Sequence, residues 1–199
     1  MRLAILLSGR GSNFLAIHDA IARGVLDAQI VAVITNVADA AGITRARELG
    51  IDTRVLEHRA YANRAAHEGD VMRALADVRP DFVLLAGYMR LLGASFIDAY
   101  RNRILNIHPS LLPSFPGIDA QAQAIAHGVK VSGCTVHLVD EGLDAGPILV
   151  QRAVTVADDD DAEKLSARIL VEEHIAYVQA LVKLSGGYRV EGRRVLFGK

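Results

Sequence analysis

The chain has 199 residues, of which 51% are hydrophobic and 23% charged, enough to bury an apolar core as one compact domain spanning 1–199. Its 22 basic and 23 acidic residues nearly cancel, and no Lys/Arg-rich block appears, which argues against a nucleic-acid partner and against a basic membrane face. Cys134 is the lone cysteine, so no internal disulfide can form, and no apolar run approaches the ~20 residues of a membrane helix; Met1 to Leu7 is too short for a signal peptide, and a cytoplasmic location is expected.

Leu3 to Leu7 is a continuous apolar run, the pattern of a strand buried on both faces in a parallel sheet. It ends in Ser8-Gly9-Arg10-Gly11-Ser12-Asn13. The segment Phe14 to Arg23 carries apolar residues at Phe14, Ile17, Ala20 and Ile21, one stripe of a helix closed by Gly24. The unit recurs: a strand over Ile30 to Thr35, a helix over Ala41 to Leu49 stopped by Gly50, and a short strand near Thr53 to Leu56. Tyr61 to Val78 is predicted as a helix ending before Pro80, Asp81 to Ala86 as a buried strand, Ser95 to Tyr100 as a short helix and Arg103 to Ile107 as the next strand. Strands alternating with helices predict a doubly wound, mostly parallel α/β sheet.

The stretch from His108 to Gly117 packs three of the five prolines into ten residues and is expected to be an ordered loop. Ala120 to His127 follows as a helix, then Gly133 to Val139 and Ile148 to Val156 as strands that pair antiparallel across the glycine-rich turn from Asp140 to Gly146. From Asp159 to Leu184, the residues Leu165, Ile169, Ile175, Val178 and Val182 suit a long amphipathic helix with the acids Asp158 to Asp161 at its positive end. Tyr188 to Val190 and Val195 to Phe197 form a terminal hairpin around Glu191-Gly192.

Gly9 and Gly11 allow a tight turn after the first strand, so that the amides of Gly11, Ser12 and Asn13 face an anion at a helix N-terminus. A dinucleotide site would want glycine at position 14 and an acid after the second strand, where Phe14 and Thr35-Asn36 stand; the Gly-Lys-Ser/Thr ending of a triphosphate loop is also missing. A single phosphate monoester fits better, although the two glycines equally permit a sharp turn with no ligand.

Asn106 and His108 alternate at the end of a buried strand, so both side chains point to one side of the sheet. Asparagine can donate to a developing oxyanion and histidine can shuttle a proton near neutrality, which are tools of acyl transfer. Asp140, Glu141 and Asp144 lie in another loop after a strand, where they are either a carboxylate source for His108 or a solvated acidic turn. Cys134 with His137 is a single pair rather than a four-ligand set, so no metal is expected; no Gly-x-Ser-x-Gly elbow is present, and direct transfer is preferred over a covalent intermediate.

Taken together, Gly9-Arg10-Gly11-Ser12-Asn13, Leu85-Ala86-Gly87-Tyr88-Met89-Arg90, Asn106-Ile107-His108-Pro109-Ser110-Leu111-Leu112-Pro113 and Gly142-Leu143-Asp144-Ala145-Gly146-Pro147 closely resemble the glycinamide ribonucleotide formyltransferases of purine biosynthesis, a branch of the folate-dependent formyltransferases. The resemblance implies a catalytic Asn106, His108 and Asp144. It also implies that Gly11, Ser12 and Asn13 hold the phosphate of glycinamide ribonucleotide, with Glu173 near its ribose. Arg64, Met89, Arg90 and Leu92 would line the site of the co-substrate 10-formyltetrahydrofolate, joined by Asn106, and the backbone around Val139, Asp140, Glu141 and Leu143 would grip its pterin-like head. The implied product is formylglycinamide ribonucleotide, made by a monomer or homodimer. Asp119 and Gln121 stand where many relatives have histidines, and Leu170 where some have a polar residue near the phosphate. A formyltetrahydrofolate hydrolase and a non-catalytic phosphate-binding module are the competing readings.

Overall fold

The computed structural model describes residues 1–198. The chain divides into two compact units, Met1–Leu105 and the segment from Asn106 onward. In the first, β1 (Arg2–Leu7), α1 (Ser12–Ala22), β2 (Gln29–Thr35), α2 (Ala41–Glu48), β3 (Thr53–Val55), α3 (Arg64–Val78), β4 (Phe82–Leu85) and α4 (Ala94–Ala99) lead into β5 (Ile104–His108). The strand order is β3-β2-β1-β4-β5. β1 pairs parallel with both β2 and β4, and β2 with β3. Leu3 through Leu7 are wholly buried, as a strand covered on both faces requires. The chain runs outward from β1 to β2 and β3 and then crosses back to β4 on the other side of β1, which is the doubly wound arrangement.

α3 begins at Arg64 rather than at Tyr61. The Asn63 side chain accepts from the Ala66 amide at 2.9 Å and caps the helix there. Tyr61 lies outside it, its ring edge-on to His67 and its hydroxyl donating to Asp70 at 2.8 Å, after a 3-10 turn over His58–Ala60.

The second unit holds α5 (Ala120–Ala126), β6 (Val131–Leu138), β7 (Ile148–Thr155), α6 (Ala162–Ser185), β8 (Tyr188–Glu191) and β9 (Arg194–Phe197). Strand order continues β5-β6-β7-β9-β8. β6 and β7 are antiparallel, and β8 and β9 form the expected hairpin. The α/β fold is therefore mostly parallel with an antiparallel C-terminal portion. α6 is capped by Asp161, whose carboxylate accepts from the Lys164 amide at 2.8 Å, and it packs on β6 and β7. Its inner face differs from the expected stripe: Leu165, Ile169, Glu173, Ala176, Tyr177, Ala180, Leu181 and Leu184 are buried, while Ile175 and Val182 are exposed. Ala176 and Ala180 lie on the buried face, while Ile175 and Val182 fall on the opposite side of the helix. No helix among the described residues is long and apolar enough to cross a membrane.

Candidate active site

In the first unit the expected ligand residues fall on the loops leaving β1 and β4 and on the start of α3. Gly11 caps α1 at φ +73°, and any Cβ there would lie 2.9 Å from Gly42 Cα. Only glycine fits this close approach, which is reinforced by the Gly42 amide donating to the Gly9 carbonyl at 3.0 Å. Ser12 and Asn13 open the helix, at the positive end of its dipole. Met89 is 77% exposed with its amide held by Ser8 Oγ, and Arg90 is half-buried beside it. Glu68, buried in α3, accepts from the Gly93 amide at 2.9 Å while its Oε1 lies 3.6 Å from Arg64 Nε. Arg64 and the end of the Met89-to-Leu92 loop are thereby drawn together by a carboxylate that the sequence did not single out.

In the second unit β5 carries Asn106 and His108 to the strand's carboxyl end. The His108 ring is buried, its Nε2 2.8 Å from the Phe115 carbonyl oxygen and its Nδ1 3.4 Å from Asp144 Oδ2. Asp144 reaches there from a turn at φ +49°, a left-handed conformation that aspartate tolerates better than most residues. The turn is forced close to β6, because any Cβ on Gly146 would lie 1.9 Å from the Leu138 carbonyl oxygen. The same carboxylate oxygen accepts from the Gly117 amide at 2.8 Å.

His137, on β6, closes the group. Its Nδ1 lies 2.9 Å from the Leu138 carbonyl oxygen and must carry the proton to donate there. Burial lowers its pKa, so the neutral ring is favoured and Nε2 is left as an acceptor. The Asn106 amide nitrogen, 3.2 Å away, donates to it, which orients the carboxamide and keeps its second N–H for another acceptor. His137 Nε2 is 3.7 Å from Asp144 Oδ1, so the four side chains form one polar cluster. A donor on Asn106, a histidine facing acceptors on both nitrogens and a carboxylate beside it suit a reaction that develops an oxyanion and moves a proton.

The remaining expected residues are distributed around this cluster or away from it. Val139 and Asp140 follow the end of β6, with Asp140 accepting from the Gly142 amide at 3.0 Å, and Glu141 and Leu143 are exposed on the same loop. Glu173 lies on the buried face of α6, where its charge acts on Cys134. Burial pushes that thiol up to about 12, which suits it poorly to nucleophilic work. His137 had drawn notice only beside Cys134; its alternation with Thr135 on β6 was the available signal. The Phe115 carbonyl and the Gly117 amide are backbone groups and carry no signal in residue identity.

Residues 1–181 match the family described as Formyl transferase, and the chain belongs to that family. It is 42% identical over 185 residues to phosphoribosylglycinamide formyltransferase of Bacillus subtilis, covering 93% of this chain and 95% of that one. A trifunctional purine biosynthetic protein adenosine-3 of Drosophila pseudoobscura pseudoobscura is 47% identical over 189 residues, and there the match spans only 14% of the relative's length. Among solved structures, glycinamide ribonucleotide transformylase 1 from Symbiobacterium toebii superposes with a TM-score of 0.97 at 46% identity, covering 100% of this chain and 94% of that one. A formyltetrahydrofolate deformylase from Pseudomonas syringae superposes at 0.92 with 27% identity, covering 100% of this chain and 66% of that one.

Proposed function

We propose that the chain transfers the formyl group of 10-formyltetrahydrofolate to the amine of glycinamide ribonucleotide, giving formylglycinamide ribonucleotide and tetrahydrofolate in purine biosynthesis. The observation that carries this reading is the cluster of Asn106, His108, His137 and Asp144 in a chain of the formyl transferase family. The amine nitrogen attacks the formyl carbon, and the carbonyl electrons move onto oxygen. Asn106 donates its free N–H to that oxyanion, and the His108 N–H now turned to Phe115 is redirected to it. Collapse re-forms the C=O bond and breaks the bond from carbon to the folate N10. The proton lost by the amine passes by way of Asp144 to N10, so that atoms and charge balance.

Gly11, Ser12 and Asn13 take the substrate phosphate in this reading, and Glu173 its ribose. Arg64, Met89, Arg90 and Leu92 hold the folate, with Val139, Asp140, Glu141 and Leu143 at its pterin-like head. The likeness to a deformylase favours one rival, hydrolysis of the same donor by water. Donor consumption with and without the amine separates the two: transfer requires the amine, whereas hydrolysis releases formate without it.

A further inference from the structure

The loops that follow β1 and β4 leave adjacent strands where the connections diverge, the crevice at which open α/β sheets bind ligands. Ser8, the first residue after β1, ties them. Its amide donates to the Gly87 carbonyl at 3.0 Å, and its hydroxyl accepts from the Met89 amide at 2.9 Å. The hydroxyl proton goes to Asn36 Oδ1 at 2.5 Å. Asn36, just past β2, is 3% exposed, so the loops of three strands meet at one hydroxyl. On its far side His58 Nδ1 lies 3.0 Å from the Asn36 carbonyl oxygen and 3.2 Å from its side-chain amide nitrogen, so the ring packs against Asn36 in either tautomer. The backbone of the Gly87-to-Met89 turn is thus pinned, while the side chains of Met89 and Leu91 remain 77% and 67% exposed. Apolar side chains left in water above a fixed backbone make a surface that a ligand can cover with little loss of backbone freedom.

We propose that Ser8, held by Asn36, is a positioning residue for the formyl-folate donor: it touches no ligand and acts by setting the height of the Met89 backbone. The proposal rests on the reading that this loop receives the folate. Ser8→Ala removes one hydroxyl and leaves the Ser8-to-Gly87 backbone bond intact. Its expected effect is a Kd for a non-transferable 10-formyl folate analogue, measured by calorimetry, raised about five- to tenfold, the scale of one lost hydrogen bond. The KM for the folate rises in parallel, while kcat and the KM for the amine change less than about twofold, because only ground-state binding of the folate is weakened. Ser8→Thr, which keeps the hydroxyl, restores binding. Asn36→Ala behaves like Ser8→Ala, and the double variant is no worse than either, because both act through one path. Wild-type-like folate binding in a Ser8→Ala protein with an unchanged melting temperature overturns the proposal, as does a fall in kcat alone. A wild type that binds folate without formylating the amine sinks the transfer reading, and the Ser8→Ala binding ratio still decides this one. A wild type that binds no folate overturns both.

Discussion

Nε2 of His108 lies 2.8 Å from the Phe115 carbonyl oxygen, which turns Nδ1 toward Asp144. Both ring nitrogens therefore face acceptors, and only the doubly protonated imidazole donates to both. Asp144 is the charged member of that pair of acceptors. Asp144→Asn keeps an oxygen for the Gly117 amide but removes the charge opposite His108. It is expected to lower kcat by about 10²-fold or more, within the range of general acid–base contributions, with little change in melting temperature. An unaltered kcat removes Asp144 from the proton path.

Asn106 and His137 act as a unit in this geometry. Asn106→Ala, which deletes the proposed oxyanion donor, is expected to cost roughly 10²- to 10³-fold in kcat. His137→Ala, which leaves the Asn106 donor in place but frees its carboxamide to rotate, costs less. Adding it to Asn106→Ala costs almost nothing further, since its target is already gone. Additive losses in the double variant contradict the assignment of His137 as the group that orients Asn106.

Buried histidines give the fold a pH dependence of definite sign. Burial lowers the pKa of His67, His137 and His174. In the unfolded chain these groups bind protons below about 6.5, where the folded chain resists them, so the unfolded state holds more protons and stability rises with pH. Their cost is absent above the unfolded pKa and grows as pH falls through it. Urea unfolding at pH 7.5 and pH 5.5 is expected to give the lower stability at pH 5.5, with a smaller difference in His67→Gln. Greater stability at the acidic pH contradicts the burial argument.

Gly11→Ala tests the proposal that this loop holds the substrate phosphate. A side chain at φ +73° is strained, and its Cβ would meet Gly42 Cα at 2.9 Å. The loop must shift, at a cost of about 1–3 kcal/mol for the strained backbone. The KM for glycinamide ribonucleotide is expected to rise severalfold more than that for the folate; equal changes place the phosphate elsewhere.

Most of the fold was legible because its strands are rich in apolar residues and bounded by glycine, proline or polar turns. Leu3 to Leu7, Ile30 to Thr35 and Ile148 to Val156 each fall within about two residues of a strand end. The helix predicted from Tyr61 starts at Arg64, because the Asn63 cap decides the boundary. On α6 the apolar period was visible, but small residues and Glu173 compete for the inner face, and only packing against β6 and β7 chooses between them. At the site, Asn106 and His108 followed from alternation along β5. The carboxylate was ambiguous among Asp140, Glu141 and Asp144, since a left-handed turn aims just one of them at the histidine, and the resemblance alone had named Asp144. Partners that act through backbone atoms, such as Phe115 and Gly117, are recorded only in the folded chain.

The most direct test of formyl transfer follows 10-formyltetrahydrofolate consumption by the purified protein with and without glycinamide ribonucleotide, beside His108→Ala. Consumption that requires the amine, yields one formylated product per folate and is lost in the variant is the expected result. Formate release without the amine, or full turnover in the variant, contradicts it.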